Sequence, residues 1–330
     1  MKVGLDSLLP FAVGADRADV VHGAWRAHRL PAAMEERYLQ QDQDDKFRIR
    51  FSCGSCVRLR FVSDTRRVRI GLRYGFEARA VYRGALRVDG GEVAFGPETR
   101  SETWDEVIFE QPTATKRLFD LWLPHLCQAD LLGMEVDDRC TFEPAPALPL
   151  RWLAYGDSIT QGMTATLPTR TVIARCALAL NAAVQNVALG SAMLDNWLAD
   201  TLPSGPYDLV SIAYGTNDHH KGAPSEVFQE NARRLLAALT KKRPDCPILL
   251  LTPLTWANHP EANSIGLTMD DYRRALAPLA GEFQQVRLVH GDRLLPDDEQ
   301  WFVDQVHPND RGFALYAENL LPRLEAALGR

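Results

Sequence analysis

The spacing of apolar residues changes near residue 147, and this change constrains the fold more than any other feature of the chain. Before it, apolar and polar residues alternate with a period of two, as in Val57, Leu59 and Phe61, which is typical of half-buried antiparallel strands. After it, apolar runs alternate with stretches of helical periodicity, which indicates a parallel sheet covered by helices. The proline-rich segment 143–149 separates the two patterns. We therefore predict two domains, residues 1–147 and residues 148–330.

The first domain is predicted to be a jelly-roll-like β-sandwich, because many short strands and almost no helical periodicity are typical of that architecture. The expected strands cover residues 47–51, 57–61, 68–72, 106–110, 117–123 and 131–136, and Asp89-Gly90-Gly91 predicts a hairpin. Arginines interleave with the apolar residues of the first three strands: Arg48, Arg50, Arg58, Arg60, Arg67 and Arg69. We expect these arginines to form a solvated sheet face, with an anion-binding site as the alternative.

The second domain is predicted to be a three-layer α/β/α sandwich. Its buried parallel strands are expected at residues 152–155, 184–188, 209–213, 248–251 and 286–289. Helices are expected at residues 170–181, 193–202, 225–242 and 269–283, and near 312–328. In open sheets of this kind, functional residues lie beyond the carboxyl ends of the strands.

Polar residues with catalytic potential follow several of these strands. Ser158 lies in the turn Tyr155-Gly156-Asp157-Ser158-Ile159-Thr160-Gln161-Gly162, directly after the first strand. A serine hydroxyl needs an imidazole as general base and a third group that orients the imidazole. His307 and Asp304 in the segment Asp304-Gln305-Val306-His307-Pro308 fit these two roles, because a separation of three residues lets one turn bring both side chains together.

Two further segments complete a set of four blocks that resembles the SGNH (GDSL-type) serine hydrolases. They are Asn186-Val187-Ala188-Leu189-Gly190-Ser191 and Tyr214-Gly215-Thr216-Asn217-Asp218. The resemblance implies that the Ser158 N–H, the Gly190 N–H and the Asn217 side chain stabilise the oxyanion. Asp157 and Asp218 are expected to brace the two turns by accepting backbone N–H groups. The chain has Asp-Ser-Ile where the family nickname has Asp-Ser-Leu, a common variation.

The order of all the elements is similar to that of two-domain members of this superfamily, in which a β-sandwich precedes the hydrolase domain. The resemblance implies a serine esterase acting on short-chain acyl esters, such as acetyl esters, of small molecules or carbohydrates. Two alternatives are an acyltransferase that uses the same residues and a carbohydrate-binding protein with a vestigial hydrolase domain. Segments 163–169 and 252–259 are candidate pocket walls, with surface loops equally compatible with their sequences. The glycine spacing around Ser158 does not fit the Gly-x-Ser-x-Gly elbow of α/β-hydrolases.

The composition of the chain limits the kinds of partner that we expect the protein to bind and the cellular compartment in which we expect it. The net charge of −6 gives no basic footprint for nucleic acid or an anionic membrane, and no run approaches the ~18 apolar residues of a transmembrane helix. We expect a cytoplasmic protein with reduced cysteines and leave its oligomeric state open.

The proposed chemistry needs no metal or cofactor. Cys53 with Cys56 and His219 with His220 are the pairs that a metal site would use, but their spacing lacks partner motifs.

Overall fold

The chain divides into two units in the computed structural model, which describes residues 1–257 and 262–330. The first unit contains Met1–Leu30, Asp42–Leu148 and Thr166–Thr169. The second contains Pro31–Gln41, Pro149–Ala165 and Arg170–Arg330. Helix α1 (Ala32–Gln40) therefore belongs to the second unit, although most of the first unit follows it in sequence. A single cut in the chain does not separate the two units.

The first unit is the predicted β-sandwich. Its strands are β1 (Ala12–Val13), β2 (Arg17–Val21), β3 (Ala24–His28), β4 (Arg58–Ser63), β5 (Arg67–Glu77), β6 (Gly84–Val88), β7 (Gly91–Phe95), β8 (Thr103–Glu110), β9 (Arg117–Trp122), β10 (Cys127–Val136) and β11 (Phe142–Pro144). They form two antiparallel sheets, with orders β1-β4-β9-β6-β7 and β2-β3-β10-β5-β8, and β11 pairs with β4. Alternate residues of both sheets form one core, in which the Phe61 and Phe119 rings stack with centroids 4.8 Å apart.

One predicted strand of this unit is wrong. Residues 47–51 lie in helix α2 (Lys46–Phe51), although their apolar residues alternate with period two. The Asp42 carboxylate accepts hydrogen bonds from the Phe47 N–H at 3.0 Å and the Arg48 N–H at 2.8 Å. These bonds satisfy N–H groups that a helix leaves free at its start, so a side chain four residues upstream of α2 favours the helix over the strand.

The expected solvated arginine face is also wrong for two of its members. Arg58 and Arg60 are buried, with 3% and 9% of their surface exposed. The Arg58 guanidinium pairs with the Asp120 carboxylate at 2.7 Å and lies 4.4 Å from the centroid of the Trp122 ring. An ion pair and a cation–π contact thus offset the cost of removing this charge from water.

The second unit is the predicted α/β domain. Its strands are β12 (Leu150–Gly156), β13 (Ala182–Asn186), β14 (Leu209–Ala213), β15 (Ile248–Leu251) and β16 (Val286–Val289), which form one parallel sheet of order β13-β12-β14-β15-β16. Besides α1, its helices are α3 (Ser158–Gln161), α4 (Val172–Leu180), α5 (Thr216–His220), α6 (Ser225–Lys242), α7 (Met269–Leu276), α8 (Leu279–Glu282) and α9 (Asp310–Ala327). Helix α4 packs against α9, and α6 packs against α7.

Two predicted helices differ in extent. Residues 269–283 form α7 and α8 rather than one helix, with the break at Pro278, which has no N–H to continue the helical ladder. In the predicted helix 193–202, only the 3₁₀ turn Asn196–Asp200 forms.

The sheet order positions the polar blocks. Strand β12 lies between β13 and β14, so the carboxyl ends of these three strands are neighbours. The strand order also reverses direction at β12, and such switch points open a crevice at the sheet edge. The segments that follow β12, β13 and β14 carry Ser158, Gly190 and Asn217. The fold therefore brings the first three blocks to one edge.

Candidate active site

A hydrogen-bonded chain of three side chains links the first and last blocks. The Ser158 Oγ lies 2.8 Å from His307 Nε2. On the other side of the ring, His307 Nδ1 lies 3.0 and 2.9 Å from the two carboxylate oxygens of Asp304. A proton on Nδ1, facing the carboxylate, leaves the Nε2 lone pair to accept the serine proton. This arrangement suits a serine that attacks a carbonyl carbon.

The Ser158 backbone is fixed by the turn between β12 and α3. Asp157 is the N-cap residue of α3, and its carboxylate accepts the Ile159 N–H at 3.0 Å. Gly156 is required just before this cap, because a Cβ there would lie 2.8 Å from the Ala213 carbonyl oxygen on β14. Ser158 is the first residue of α3, and its N–H has no acceptor within the described part of the chain. This N–H is available to a ligand.

The Asp304 carboxylate orients the imidazole through a tight turn. Its Oδ1 atom accepts the backbone N–H groups of Val306 at 2.9 Å and His307 at 2.7 Å, in addition to the ring contact. Burial alone would raise the pKa of Asp304, but the hydrogen bonds from the His307 ring and from these two N–H groups outweigh burial and lower it. The lowered pKa favours an ionised Asp304 beside the imidazole.

Thr164 holds the residue after the imidazole. Its hydroxyl donates to the Pro308 carbonyl oxygen at 2.8 Å. Thr164 has a φ of +77°, which is rare for a β-branched residue and marks a backbone position that the surrounding structure imposes. The segment that follows Ser158 is thus tied to the segment that carries His307. The residues of the motif give no sign of this contact, so Thr164 cannot be recognised from the sequence.

The second block follows β13 along the edge of β12. The Val187 N–H donates to the Ala154 carbonyl at 2.9 Å, and the Leu189 N–H donates to the Gly156 carbonyl at 3.0 Å. The chain then reverses in a turn closed by the Ala192 N–H and the Leu189 carbonyl, 3.0 Å apart. These bonds place the turn Leu189–Ala192 beside the segment that leads into Ser158.

The predicted oxyanion donors Asn217 and Gly190 differ in whether they have a hydrogen left for a ligand. The Asn217 amide donates one hydrogen to the Ala192 carbonyl oxygen at 2.9 Å and has a second hydrogen for a ligand. The Gly190 N–H is already bonded to the Gln161 Oε1 atom at 2.7 Å. Gln161 is fully buried, so this bond is enclosed. Its residue type and its position one turn after Ser158 were the only signals in the sequence for Gln161.

Asp157 and Asp218 lie where bracing residues are expected. The Asp218 Oδ1 atom accepts the Leu194 N–H at 3.1 Å, which holds the segment just after the second block to α5. Burial raises the pKa of Asp157 to about 6. Burial, reinforced by the nearby Asp157 carboxylate, raises the pKa of Asp218 to about 7. The site therefore contains two buried carboxyl groups that favour the neutral form more than exposed ones do.

The two candidate metal-ligating pairs, Cys53 with Cys56 and His219 with His220, lie in different surroundings. His219 is buried, with the Trp256 and Tyr272 ring centroids each 5.5 Å from its own, whereas His220 is exposed. Cys53 is buried in the first unit, and burial raises the pKa of its thiol to about 12, which disfavours the thiolate that binds metal. Within residues 1–257 and 262–330, no group of three or more His, Cys, Asp or Glu side chains is arranged to hold a metal ion.

The candidate pocket walls are more buried than surface loops. Met163, Leu254 and Trp256 have 1%, 5% and 4% of their surface exposed. The segment 252–257 is held to the catalytic loop by the Ala257 N–H, which donates to the Gln305 carbonyl at 3.0 Å. Asn258 and His259, the end of the predicted wall, lie outside the described residues. These three apolar side chains, all in the second unit, are therefore buried rather than presented to a ligand.

A comparison with protein families agrees with this geometry. Residues 154–315, which include all four blocks, match the model of the GDSL-like Lipase/Acylhydrolase family. This half of the chain is a GDSL-like lipase/acylhydrolase domain. The chain is thus an SGNH (GDSL-type) serine hydrolase that acts on ester bonds. No curated protein matches the chain.

Solved structures share the architecture over nearly the whole length. The chain is similar to a salicylyl-acyltransferase, SsfX3, from a tetracycline biosynthetic pathway (TM-score 0.80, 23% identity, covering 96% of this chain and 94% of the other). It is also similar to a putative GDSL-like lipase from Bacteroides ovatus (TM-score 0.79, 18% identity, 100% and 98%) and to a family two carbohydrate esterase from Cellvibrio japonicus (TM-score 0.67, 16% identity, 100% and 98%). At these identities the likeness shows the fold of both units.

Among the helices in the described parts of the chain, none is both long enough and apolar enough to cross a membrane.

Proposed function

We propose that the protein is a serine esterase that hydrolyses short-chain acyl esters, acetyl esters above all, of small molecules or carbohydrates. The observation that carries this proposal is the contact of 2.8 Å between the Ser158 Oγ and His307 Nε2, with Asp304 on the far side of the ring. Nucleophile, base and orienting carboxylate are then all in place before substrate arrives.

In the first half-reaction, the Ser158 oxygen attacks the ester carbonyl carbon while His307 Nε2 takes the hydroxyl proton. The Asp304 carboxylate stabilises the imidazolium that forms. The tetrahedral intermediate then expels the alcohol, which leaves with the proton from His307, and the acyl group stays on Ser158. The chain supplies every proton transfer in this half-reaction.

The negative charge on the carbonyl oxygen needs donors that are fixed beforehand. The Ser158 N–H and the second hydrogen of the Asn217 amide are two such donors. The third donor implied by the sequence, the Gly190 N–H, stays a prediction, and its bond to Gln161 opposes that assignment.

In the second half-reaction, water attacks the acyl-enzyme and returns the proton to Ser158 through His307. Water can approach the base, because 15% of the His307 side chain and 48% of the Asp304 side chain are exposed. Met163, Leu254 and Trp256 are packed inward, so in the described part of the two wall segments these three side chains offer no exposed apolar surface to a long acyl chain. These features favour hydrolysis and short acyl groups.

Carbohydrate esters are supported by the neighbours of the same two-unit architecture. Besides the Cellvibrio enzyme, a family two carbohydrate esterase from Clostridium thermocellum was solved in complex with cellohexaose (TM-score 0.66, 20% identity, 84% and 94%). We extend from these enzymes only the substrate class, an acylated sugar. The predicted cytoplasmic location stays a prediction.

An acyltransferase is the second candidate. It is favoured by the salicylyl-acyltransferase, which aligns over almost the full length of both chains. Such an enzyme would use the same acyl-enzyme and let a sugar or natural-product hydroxyl take the place of water. The third candidate, a carbohydrate-binding protein with a vestigial hydrolase domain, is disfavoured by the assembled contacts among Ser158, His307 and Asp304.

The deciding experiment measures turnover of p-nitrophenyl esters from acetate to octanoate and of acetylated sugars, with Ser158→Ala as the control. We expect acetate to be the best chain length and water to be the acyl acceptor. The esterase proposal fails if wild-type protein turns over none of these esters. If sugar alcohols at millimolar concentration capture most of the acyl group, the acyltransferase replaces it.

A further inference from the structure

We propose that a small cavity beside Asp157 binds one water molecule, and that Tyr316 on α9 is a positioning residue that acts on Asp157 through this water. Asp157 directly precedes Ser158 and caps the helix that Ser158 begins. The inference rests on the proposed function, because it adds a residue to the same acyl-transfer site. No motif in the sequence marks Tyr316.

The cavity lies at the carboxyl edge of the parallel sheet. It has a volume of about 20 Å³ and is lined by α9 and by the segments that follow β12, β14 and β15. Its lining includes five polar side chains that are each 3–5% exposed: Asp157, Thr160, Thr216, Thr252 and Tyr316. A bound water needs a volume of about 10–15 Å³ and two to four polar partners. The cavity therefore suits one water molecule and is too small for a larger ligand.

The hydroxyl groups of the lining have hydrogen-bonding capacity for this water. Those of Tyr316 and Thr160 have no hydrogen-bond partner among the described residues. The Thr252 hydroxyl accepts the Gly291 N–H at 2.9 Å and still has its own hydrogen to donate. Buried polar groups are normally hydrogen-bonded, and ordered water serves where no protein group is near. A water in the cavity would satisfy these hydroxyl groups.

Asp157 connects the cavity with the catalytic residues. Its Oδ1 atom accepts the Ile159 N–H at 3.0 Å, which fixes the turn that carries Ser158. Burial raises the pKa of Asp157 to about 6, whereas that N–H, a positive charge on His307 and the Thr216 side chain each act to lower it. An ionised Asp157 and a protonated His307 therefore attract each other. Because His307 is protonated in the transition state, the ionised form of Asp157 favours the reaction.

Three further ionisable groups face Asp157 from the elements packed around it: Asp218 on α5, Tyr214 after β14 and Tyr316 on α9. Burial raises the pKa of each, and the nearby Asp157 charge raises it further. The two tyrosines are therefore neutral near pH 7, and the Tyr316 hydroxyl is a hydrogen-bond donor. A hydroxyl that donates to a water, which in turn donates to the carboxylate, favours the ionised form of Asp157.

A crystal structure of the wild-type protein tests the water site directly. We expect one ordered water in the cavity, about 2.7–3.2 Å from the Tyr316 hydroxyl oxygen and from a carboxylate oxygen of Asp157. A cavity without a water, or a water that does not contact the Tyr316 hydroxyl, overturns the proposal. This result does not depend on whether the protein turns over esters.

An infrared titration tests whether Tyr316 acts on Asp157. The parent protein is Asp218→Asn, which removes the carboxyl group whose pKa of about 7 would overlap. Adding Tyr316→Phe should move the midpoint of the protonated-carboxyl band upward by about 0.5–1 pH unit, because the ionised form loses support. Thr160→Val, which removes another hydroxyl of the lining, should move it in the same direction. Tyr155→Phe is the matched control and should leave it unchanged, because this buried hydroxyl has no partner within the described residues and does not line the cavity. An unchanged midpoint in Tyr316→Phe, or in Thr160→Val if the first variant does not fold, overturns the proposal.

Kinetics distinguish a positioning role from a merely structural one. On p-nitrophenyl acetate at about pH 6.5, Tyr316→Phe should lower kcat about three- to tenfold at constant KM, the range expected for one hydrogen bond. The loss should shrink above about pH 8, because Asp157 is then ionised in both proteins. A loss that is independent of pH, or a raised KM at constant kcat, overturns the positioning role. If the wild-type protein turns over no ester, the proposed function fails, and the crystal structure and the infrared titration still decide on the water and on Tyr316.

Discussion

Replacing Asp218 with asparagine should make the stability of the protein less dependent on pH. The Asp218 side chain is almost completely buried. Within residues 1–257 and 262–330, its Oδ1 atom accepts the Leu194 N–H and its Oδ2 atom has no hydrogen-bond donor. Asparagine retains an oxygen for that donor and matches the shape of the protonated acid. It removes the charge that the wild-type protein must bury above neutral pH.

The direction and the size of the effect follow from the pKa of Asp218. Its value in the folded protein is about 7, against 3.8 for the ordinary group. A raised carboxyl pKa contributes stability that is fully present below the unfolded value and is lost as pH rises through the folded value. Three pKa units correspond to about 4 kcal/mol. Because Asp157 titrates in a similar range and interacts with Asp218, we expect a net effect of about 2–4 kcal/mol.

Urea unfolding at several values between pH 4.5 and pH 8, followed by tryptophan fluorescence, measures this effect. The quantity of interest is the free energy of unfolding of Asp218→Asn minus that of wild type, which should increase across this range and level off above pH 7. Asp245→Asn, at an exposed carboxylate of the same unit, is the matched control and should give a flat difference. A flat difference for Asp218→Asn as well would refute the reasoning, because it would mean that Asp218 is ionised at no cost.

Three further predictions concern catalysis. Ser158→Ala should lower kcat by roughly 10⁴–10⁶ with an unchanged circular dichroism spectrum, and residual activity above a few per cent on p-nitrophenyl acetate would exclude Ser158 as nucleophile. Asn217→Ala should lower kcat by about 10²–10³ and leave KM nearly constant, because an oxyanion donor acts in the transition state; a raised KM at constant kcat would instead indicate ground-state binding. Dialysis against EDTA should leave the rate unchanged, whereas recovery of a lost rate on adding back zinc would revive Cys53 with Cys56, or His219 with His220, as ligands.

The sequence predicted the parallel sheet well for a physical reason. Strands 209–213, 248–251 and 286–289 form at the predicted residues. Strands buried on both faces appear as continuous apolar runs, which few other structures share. The turn from Asp304 to His307 was also predictable, because the two side chains are close in sequence and need no distant element to meet.

What the sequence could not show depends on contacts between distant residues. Helix α2 has the alternation of a strand, and the Asp42 carboxylate that favours the helix is visible only once the backbone has folded back on it. Similarly, whether the Gly190 N–H is free for a ligand depends on where the Gln161 side chain points. A motif specifies residue types at an edge, but the hydrogen-bond partners of each backbone group require coordinates.

Helix α1 has a consequence for how this protein can be divided or recombined. Met34 and Tyr38 have no exposed surface, and the Tyr38 ring meets the Trp197 ring edge-on at 4.8 Å within the second unit. A gene fragment that starts at the proline-rich segment would encode the hydrolase sheet without these side chains and would leave a cavity against the Trp197 ring. A single crossover point in the gene therefore cannot transfer the complete hydrolase unit to another protein. Exchange of the β-sandwich for another module would have to keep residues 31–41 with the hydrolase.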